Sequence, residues 1–221
     1  MNDKDVIGVC DVKSLSHDDK RNALNLITMI KEKRDGKIKG RACADEYKQC
    51  RYIAKDEVSS PTIQMESLMV TLLLDAYKNR DVATTDVAGA YLLVDMDEYI
   101  LVKVTGASTA LMFSINPDYS KYVTNEKGKK TLYLRLAKAL YGCMQSALLW
   151  YKAFKEGLEK IGFTVNPYDP CVANKMVNNE HCTICWYVDD TKISHKDSKV
   201  VDWVLKELES KFGKMSVSRG K

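Results

Sequence analysis

The first residues in this chain that could do chemistry are two neighbouring carboxylates in a tight turn. Tyr187-Val188-Asp189-Asp190 lies between the β-rich run Cys182-Thr183-Ile184-Cys185-Trp186-Tyr187 and the alternating run Lys192-Ile193-Ser194-His195. The pattern predicts two short strands with the acidic pair at their tip. Unit charges about 4 Å apart repel by about 4 kcal/mol at an effective dielectric near 20. A divalent cation removes that penalty, and hard Mg²⁺ takes carboxylate oxygens while keeping some of its waters. Aspartate also suits turns for its own reasons, so an Asp-Asp tip facing water is the plain alternative. On the tetrapeptide alone both readings stand.

A third carboxylate adds a reason to bind metal. Asp86 ends the predicted strand Asp81–Val87 and is followed by Ala88-Gly89-Ala90-Tyr91 after Val87. Beside the hairpin it would complete a three-carboxylate site for two metals, the arrangement that serves an in-line phosphoryl displacement. Its bland counterpart is an aspartate capping a turn before Gly89. Cys182-x-x-Cys185 invites a zinc reading, yet no second pair stands at zinc-finger spacing. One pair cannot complete a four-ligand site, so these are read as structural thiols.

The elements that must position these residues follow from periodicity and turn chemistry. Residues 1–27 are read as a loose, polar leader. Residues 28–44 read as a hairpin around Asp35-Gly36, a pair suited to a type I′ turn. Eight Lys/Arg against four Asp/Glu lie between Lys31 and Arg51. A solvated edge hairpin and a cationic flap over phosphates are both open for that segment. Ser60-Pro61 is expected to start a helix running to about Lys78, with Met65, Leu68, Met69, Leu72, Leu73 and Ala76 as its core stripe. Strands are predicted at Tyr99–Val104 and Thr131–Leu136, with 106–130 turn-rich and unassigned. A second helix is expected from Ser146 to Gly162, a third from a Ser198 cap to Phe212, and a last strand over Met215–Arg219. A sheet covered by helices on one face is an α+β arrangement.

Bulk composition narrows the setting. With 221 residues and 45% hydrophobic content the chain can bury a core. Net charge is only +4, so any nucleic-acid surface must come from local clustering. Seven scattered cysteines, an odd number, suggest a reduced intracellular compartment, cytoplasmic or nuclear rather than secreted. No segment approaches the roughly eighteen apolar residues of a membrane span, and no membrane partner is expected.

Three blocks together carry a family resemblance: Asp86-Val87-x-x-Ala90-Tyr91; Lys138-Ala139-Leu140-Tyr141-Gly142 with Gln145-Ser146 and Trp150-Tyr151; and Tyr187-Val188-Asp189-Asp190. Their order and spacing resemble reverse transcriptases, and the middle block resembles the copia-type branch. Lys39-Gly40-Arg41, Gly162-Phe163 and Asp169-Pro170-Cys171 fit that branch too, so the likeness covers roughly residues 30–221.

The resemblance implies a reverse-transcriptase-like palm, an antiparallel sheet with helices on one face, plus partial fingers with the thumb missing. Fingers would occupy about 28–80 and 106–145, and palm about 81–105 and 146–221. It implies an RNA-directed DNA polymerase, a nucleotidyltransferase adding dNTPs to a primer 3′-OH on an RNA or DNA template. Asp86, Asp189 and Asp190 would be catalytic; Asp86, Asp189 and the Val87 carbonyl would hold two Mg²⁺ ions, for which Mn²⁺ substitutes. Tyr91 matches the steric gate under the incoming sugar. Tyr141 and Gly142 match the nucleotide pocket, Gln145 a template contact, Lys39 and Arg41 the triphosphate contacts, and Tyr187 and Val188 the support of the primer terminus. Other segments of one polyprotein would be partners, and a virus-like particle in the cytoplasm a setting. The chain departs from the family pattern at Val104-Thr105-Gly106, Cys143-Met144 and Ala147-Leu148. A catalytically silent retrotransposon relic that only binds nucleic acid is the competing expectation, and another two-metal phosphoesterase a third.

Overall fold

The computed structural model describes residues 6–220 apart from 33, 35, 52 and 55–57. In chain order the elements begin with β1 (Ile7–Val9), α1 (His17–Asn22), β2 (Leu24–Glu32), β3 (Ile38–Ala44), α2 (Met65–Tyr77) and β4 (Asp81–Asp86). They continue with β5 (Leu101–Thr105), α3 (Ala107–Ile115), β6 (Thr124–Glu126), β7 (Lys129–Leu136) and α4 (Ser146–Lys160). The last are β8 (Thr164–Val165), β9 (Val172–Val177), β10 (Glu180–Tyr187), β11 (Asp190–His195), α5 (Ser198–Phe212) and β12 (Ser216–Arg219). Two compact units form, one from residues 1–59 and 94–149, the other from 60–93 and 150–221.

The first unit is built on a sheet of order β1-β7-β5-β2-β3, with β6 pairing the first residues of β7, where Glu126 stands opposite Lys129 and Thr124 opposite Thr131. All its pairings are antiparallel except β2 with β5, where Leu24 stands opposite Val102. Leu132, Leu134, Leu136, Val102 and Val104 are fully buried or nearly so, and they make the apolar centre. Residues 6–27 are ordered rather than loose. Ile7 pairs with Leu136, and α1 is closed by a capping box in which Ser16 and Asp19 each accept the other's backbone N–H. Lys48 Nζ donates to the carbonyls of Arg21 and Ala23 at the C-terminal end of that helix. Polar residues without periodicity hide such order, because caps and long-range pairing supply it instead of an apolar stripe.

The expected hairpin is present, with Met29 opposite Arg41 and Lys31 opposite Lys39. Gly36 has φ +76 as its turn requires, whereas Asp35 lies outside the described residues. The stretch 106–130 contains a helix that periodicity did not reveal. α3 starts after Gly106, and Thr109 Oγ1 ties it back to the carbonyls of Val104 and Lys130.

The second unit is an all-antiparallel sheet of order β12-β4-β11-β10-β9-β8. α4 and α5 cover one face, where Trp150, Phe154 and Phe212 pack together and Phe154 meets Trp186 of β10 at 5.5 Å. α2 touches the opposite face: Thr71 meets Cys185, and Asp75 pairs with Lys192. Consecutive strand residues point to opposite faces, so Cys185 and Trp186 cannot serve the same helix.

Two helix starts differ from expectation. α2 begins at Met65 after Gln64, not at Ser60-Pro61. The Gln64 N–H is satisfied by the buried carboxylate of Asp169, 2.9 Å away, so a partner 105 residues distant decides where the helix starts. α5 is capped by Asp197 rather than Ser198, its side chain accepting from Lys199 N. The stripe predicted for α2 is also turned outward. Met65, Met69, Leu72 and Leu73 are exposed while Thr71 and Asp75 are buried. This helix is apolar around most of its circumference, and its facing is set by Lys192 and Cys185 on the sheet.

Candidate active site

β4 and β11 pair so that Asp86 and Asp190 stand directly opposite each other, with Ser216 of β12 on the other flank of Asp86. The two carboxylates therefore share a face on adjacent strands, a position where like charges destabilise a sheet. The nearest basic residue along that face is Lys192, opposite Thr84. Its ammonium is committed to Asp75, which also lies 3.5 Å from Arg80, and all three side chains are buried. Lys192 is therefore held by Asp75 and does not serve Asp86 and Asp190 as a counter-charge.

The hairpin closes with Tyr187 opposite Asp190, so Val188 and Asp189 are the two central turn residues. Val188 has φ +57 and Asp189 is not among the positive-φ residues, which is type II′ geometry. The Val87 N–H donates to the Asp189 carbonyl at 3.2 Å and bolts the tip to the end of β4. Tyr91 lies in the short 3-10 stretch Ala90–Leu93. Burial raises its phenol above the ordinary range, and the charges of Asp189 and Tyr187 add to the shift. Asp86, Val87, Tyr91, Tyr187, Val188, Asp189 and Asp190 are thus brought together in one unit. A cavity of about 450 Å³ opens beside them, with Asp86, Tyr187, Asp190 and Lys192 in its lining.

The expected three-carboxylate cage is not preformed: among the described residues no three His, Cys, Asp or Glu side chains converge on a metal position. The donor chemistry nonetheless fits a hard cation. Mg²⁺ is commonly held by one or two carboxylates, with water and substrate phosphate completing its shell. Asp86 at the end of β4, with Asp189 in the adjoining turn and Asp190 on the neighbouring strand, supplies oxygen donors of that kind. Cys182 and Cys185 do not add to it. Both are buried, and burial pushes the Cys182 thiol up to about 12, as suits structural thiols.

The remaining predicted residues lie in the other unit. Lys39 and Arg41 are exposed on one face of β3, and Lys39 faces Lys31 directly, which makes a cationic stripe. The loop holding Tyr141 and Gly142 is closed by Ser146, whose hydroxyl donates to the Leu140 carbonyl and accepts the Leu140 N–H. Tyr141 O accepts the Ala44 N–H at 2.7 Å, so this loop is fastened to the end of the basic hairpin. Gln145 is buried, with both ends of its amide hydrogen-bonded. Its oxygen accepts from Gln49 at 2.9 Å and its nitrogen donates to Glu98 at 2.7 Å. It organises the loop instead of presenting an amide outward, and its partners Gln49 and Glu98 carried no signal in the sequence.

Comparison with known proteins decides what this geometry belongs to. The family model described as reverse transcriptase (RNA-dependent DNA polymerase) matches residues 9–219. The chain belongs to the reverse transcriptase family. Among its relatives, the Retrovirus-related Pol polyprotein from transposon TNT 1-94 of Nicotiana tabacum is 28% identical over 83% of this chain. The Transposon Ty1-LR2 Gag-Pol polyprotein of Saccharomyces cerevisiae is 27% identical over 88%. These matches make the chain a copia-type retrotransposon reverse transcriptase domain. It spans 13% and 10% of those two polyproteins. The crystal structure of the Prototype Foamy Virus protease–reverse transcriptase overlaps 96% of this chain and 21% of its own, at 14% identity and TM-score 0.45. Among the described residues, no helix of this reverse transcriptase domain is long and apolar enough to cross a membrane.

Proposed function

We propose that this domain is the fingers-and-palm part of a working RNA-directed DNA polymerase. In this reading it extends a primer 3′-OH with dNTPs on an RNA or DNA template, inside the cell and alongside other segments of its polyprotein. The observation that carries the reading is the opposition of Asp86 and Asp190 beside a turn whose Asp189 is bonded to Val87. A divalent cation held against such a pair of like charges offsets their repulsion, and hard Mg²⁺ takes carboxylate oxygens.

Asp86, Asp189 and the Val87 carbonyl are the proposed holders of two Mg²⁺ ions, for which Mn²⁺ substitutes, with Asp190 beside them. When bound, the ions supply activation of an attacking oxygen and stabilisation of a leaving one. The chain's own residues do the rest. Tyr91 stays protonated through the neutral range, because burial and Asp189 disfavour its phenolate, and it offers a flat, uncharged floor to a sugar. Tyr187, more than half exposed at 55%, is available to a primer end together with Val188. Lys39 and Arg41 are proposed to bind the triphosphate, and Tyr141 and Gly142 to line the nucleotide pocket. Phosphate contacts position the template, while base pairing carries the sequence information.

Primer extension on an RNA template with Mg²⁺ tests the reading. Wild type should extend the primer, and Asp86→Asn and Asp189→Asn should lose extension while binding primer–template equally well. If wild type also fails to extend but binds the duplex, the chain acts as a nucleic-acid-binding relic and the polymerase reading is wrong.

A further inference from the structure

Val188 occupies a backbone region that a β-branched residue rarely enters, with φ +57. Strain of this kind persists only where the surroundings over-determine it. Type II′ turns normally place glycine at this first central position, so valine needs an external reason to stay there. The indole N–H of Trp150 donates to the Val188 carbonyl at 2.7 Å. Trp150 is itself 1% exposed, wedged against Phe154 at 5.5 Å and Phe212 at 5.1 Å, so the donor cannot drift.

We propose that Trp150 is a positioning residue for the acidic turn: its N–H selects one orientation of the Val188–Asp189 peptide and thereby the direction in which Asp189 leaves the hairpin. The proposal rests on reading that turn as a metal-binding centre. The two turn types open to a two-residue hairpin differ by a flip of this central peptide. Type I′ requires positive φ at both central residues, type II′ only at the first. A flip to type I′ would swing the Val188 carbonyl away from the indole, break the bond and force Asp189 into positive φ. With the Asp189 carbonyl already held by the Val87 N–H, both carbonyls of the tip are fixed by donors from outside the hairpin. The opposing view is that Trp150 merely fills space and that its N–H found the acceptor every buried indole needs.

Trp150→Phe keeps an aromatic ring in the cluster and deletes the donor. Mn²⁺ binding to the whole chain should be abolished by Asp189→Asn and weakened roughly twofold to tenfold by Trp150→Phe, the range for losing one hydrogen bond. The Asp189 amide should gain microsecond-to-millisecond exchange broadening in the NMR spectrum of the variant. A space-filling role would lower the melting temperature yet leave the Asp189 amide and the Mn²⁺ affinity unchanged, and that result would overturn the proposal. If Trp150→Phe does not fold, incorporation of benzothienylalanine at position 150 replaces only the N–H with sulfur, and the same two readouts decide. If Mn²⁺ binding proves indifferent to Asp189→Asn, the metal reading fails by itself. The amide exchange then still accepts or rejects the role of Trp150.

Discussion

A β-carbon on Gly142 would lie 2.0 Å from the Ala44 carbonyl oxygen and 3.0 Å from the carbonyl carbon behind it. The same glycine sits at φ +82, in the left-handed region, and the Ala44 N–H is bonded to the neighbouring Tyr141 carbonyl. Loop and hairpin meet backbone to backbone, so neither side has a flexible atom that can move aside. Gly142→Ala should therefore destabilise the first unit by about 2–4 kcal/mol, combining overpacking with backbone strain. Urea denaturation followed by circular dichroism measures it, and a cost below that of an ordinary surface substitution would contradict the close approach.

Asp190→Asn should have opposite effects on stability and on metal response. Removing one of two like charges directly across the sheet should stabilise the metal-free chain by about 0.2–1 kcal/mol. Mg²⁺ should then raise the melting temperature of wild type, since a ligand of the folded state stabilises it, and raise that of the variant less. Thermal melts at increasing Mg²⁺ give both numbers. A metal-free variant less stable than wild type would show that Asp86 and Asp190 do not repel.

The buried trio of Asp75, Arg80 and Lys192 makes an asymmetric prediction. Asp75→Asn leaves two buried cations without their counter-charge and should cost about 3–5 kcal/mol. Lys192→Met leaves Asp75 with Arg80 and puts an apolar chain where an ammonium was, so it should cost clearly less. Paired urea titrations compare the two, and equal costs would mean that Arg80 contributes nothing to the pair.

Alkaline stability should follow the buried thiols. Burial pushes Cys143, Cys171 and Cys182 each up to about 12 from an ordinary value of 9.0. A raised folded value means that the unfolded chain releases its thiol protons first. The associated stability is complete below the unfolded value and is lost as pH rises towards the folded one. Urea midpoints should be flat to about pH 8 and then decline, with Cys182→Ala declining less steeply. The exposed Cys50 should react with a thiol reagent in the native state, whereas Cys182 should react only after unfolding.

Much of this was legible in the chain itself. The period of two around Tyr187-Val188-Asp189-Asp190 and the glycines at 36 and 162 placed strands and turns close to where they stand, because those signals act within a few residues. The spacing of Trp150, Phe154 and Leu158 marked α4 for the same reason. Residues 6–27 and α3 were not legible, since their order depends on caps and on pairing with β7, which lies more than a hundred residues from β1.

By itself, then, the sequence determined which chemistry-bearing side chains exist and the local elements that hold them: Asp86 at a strand end, Asp189 and Asp190 at a tip, Tyr141 and Gly142 in a loop. Only the tertiary structure decided what each one faces. Strand register set Asp190, not a lysine, opposite Asp86. Asp169 set the start of α2 from across the unit, Gln49 and Glu98 took the amide of Gln145 inward, and Trp150 reached the Val188 carbonyl. Periodicity is a property of neighbours along the chain, whereas hydrogen-bond partners and opposed charges are properties of neighbours in space, and those are chosen only when the sheets close.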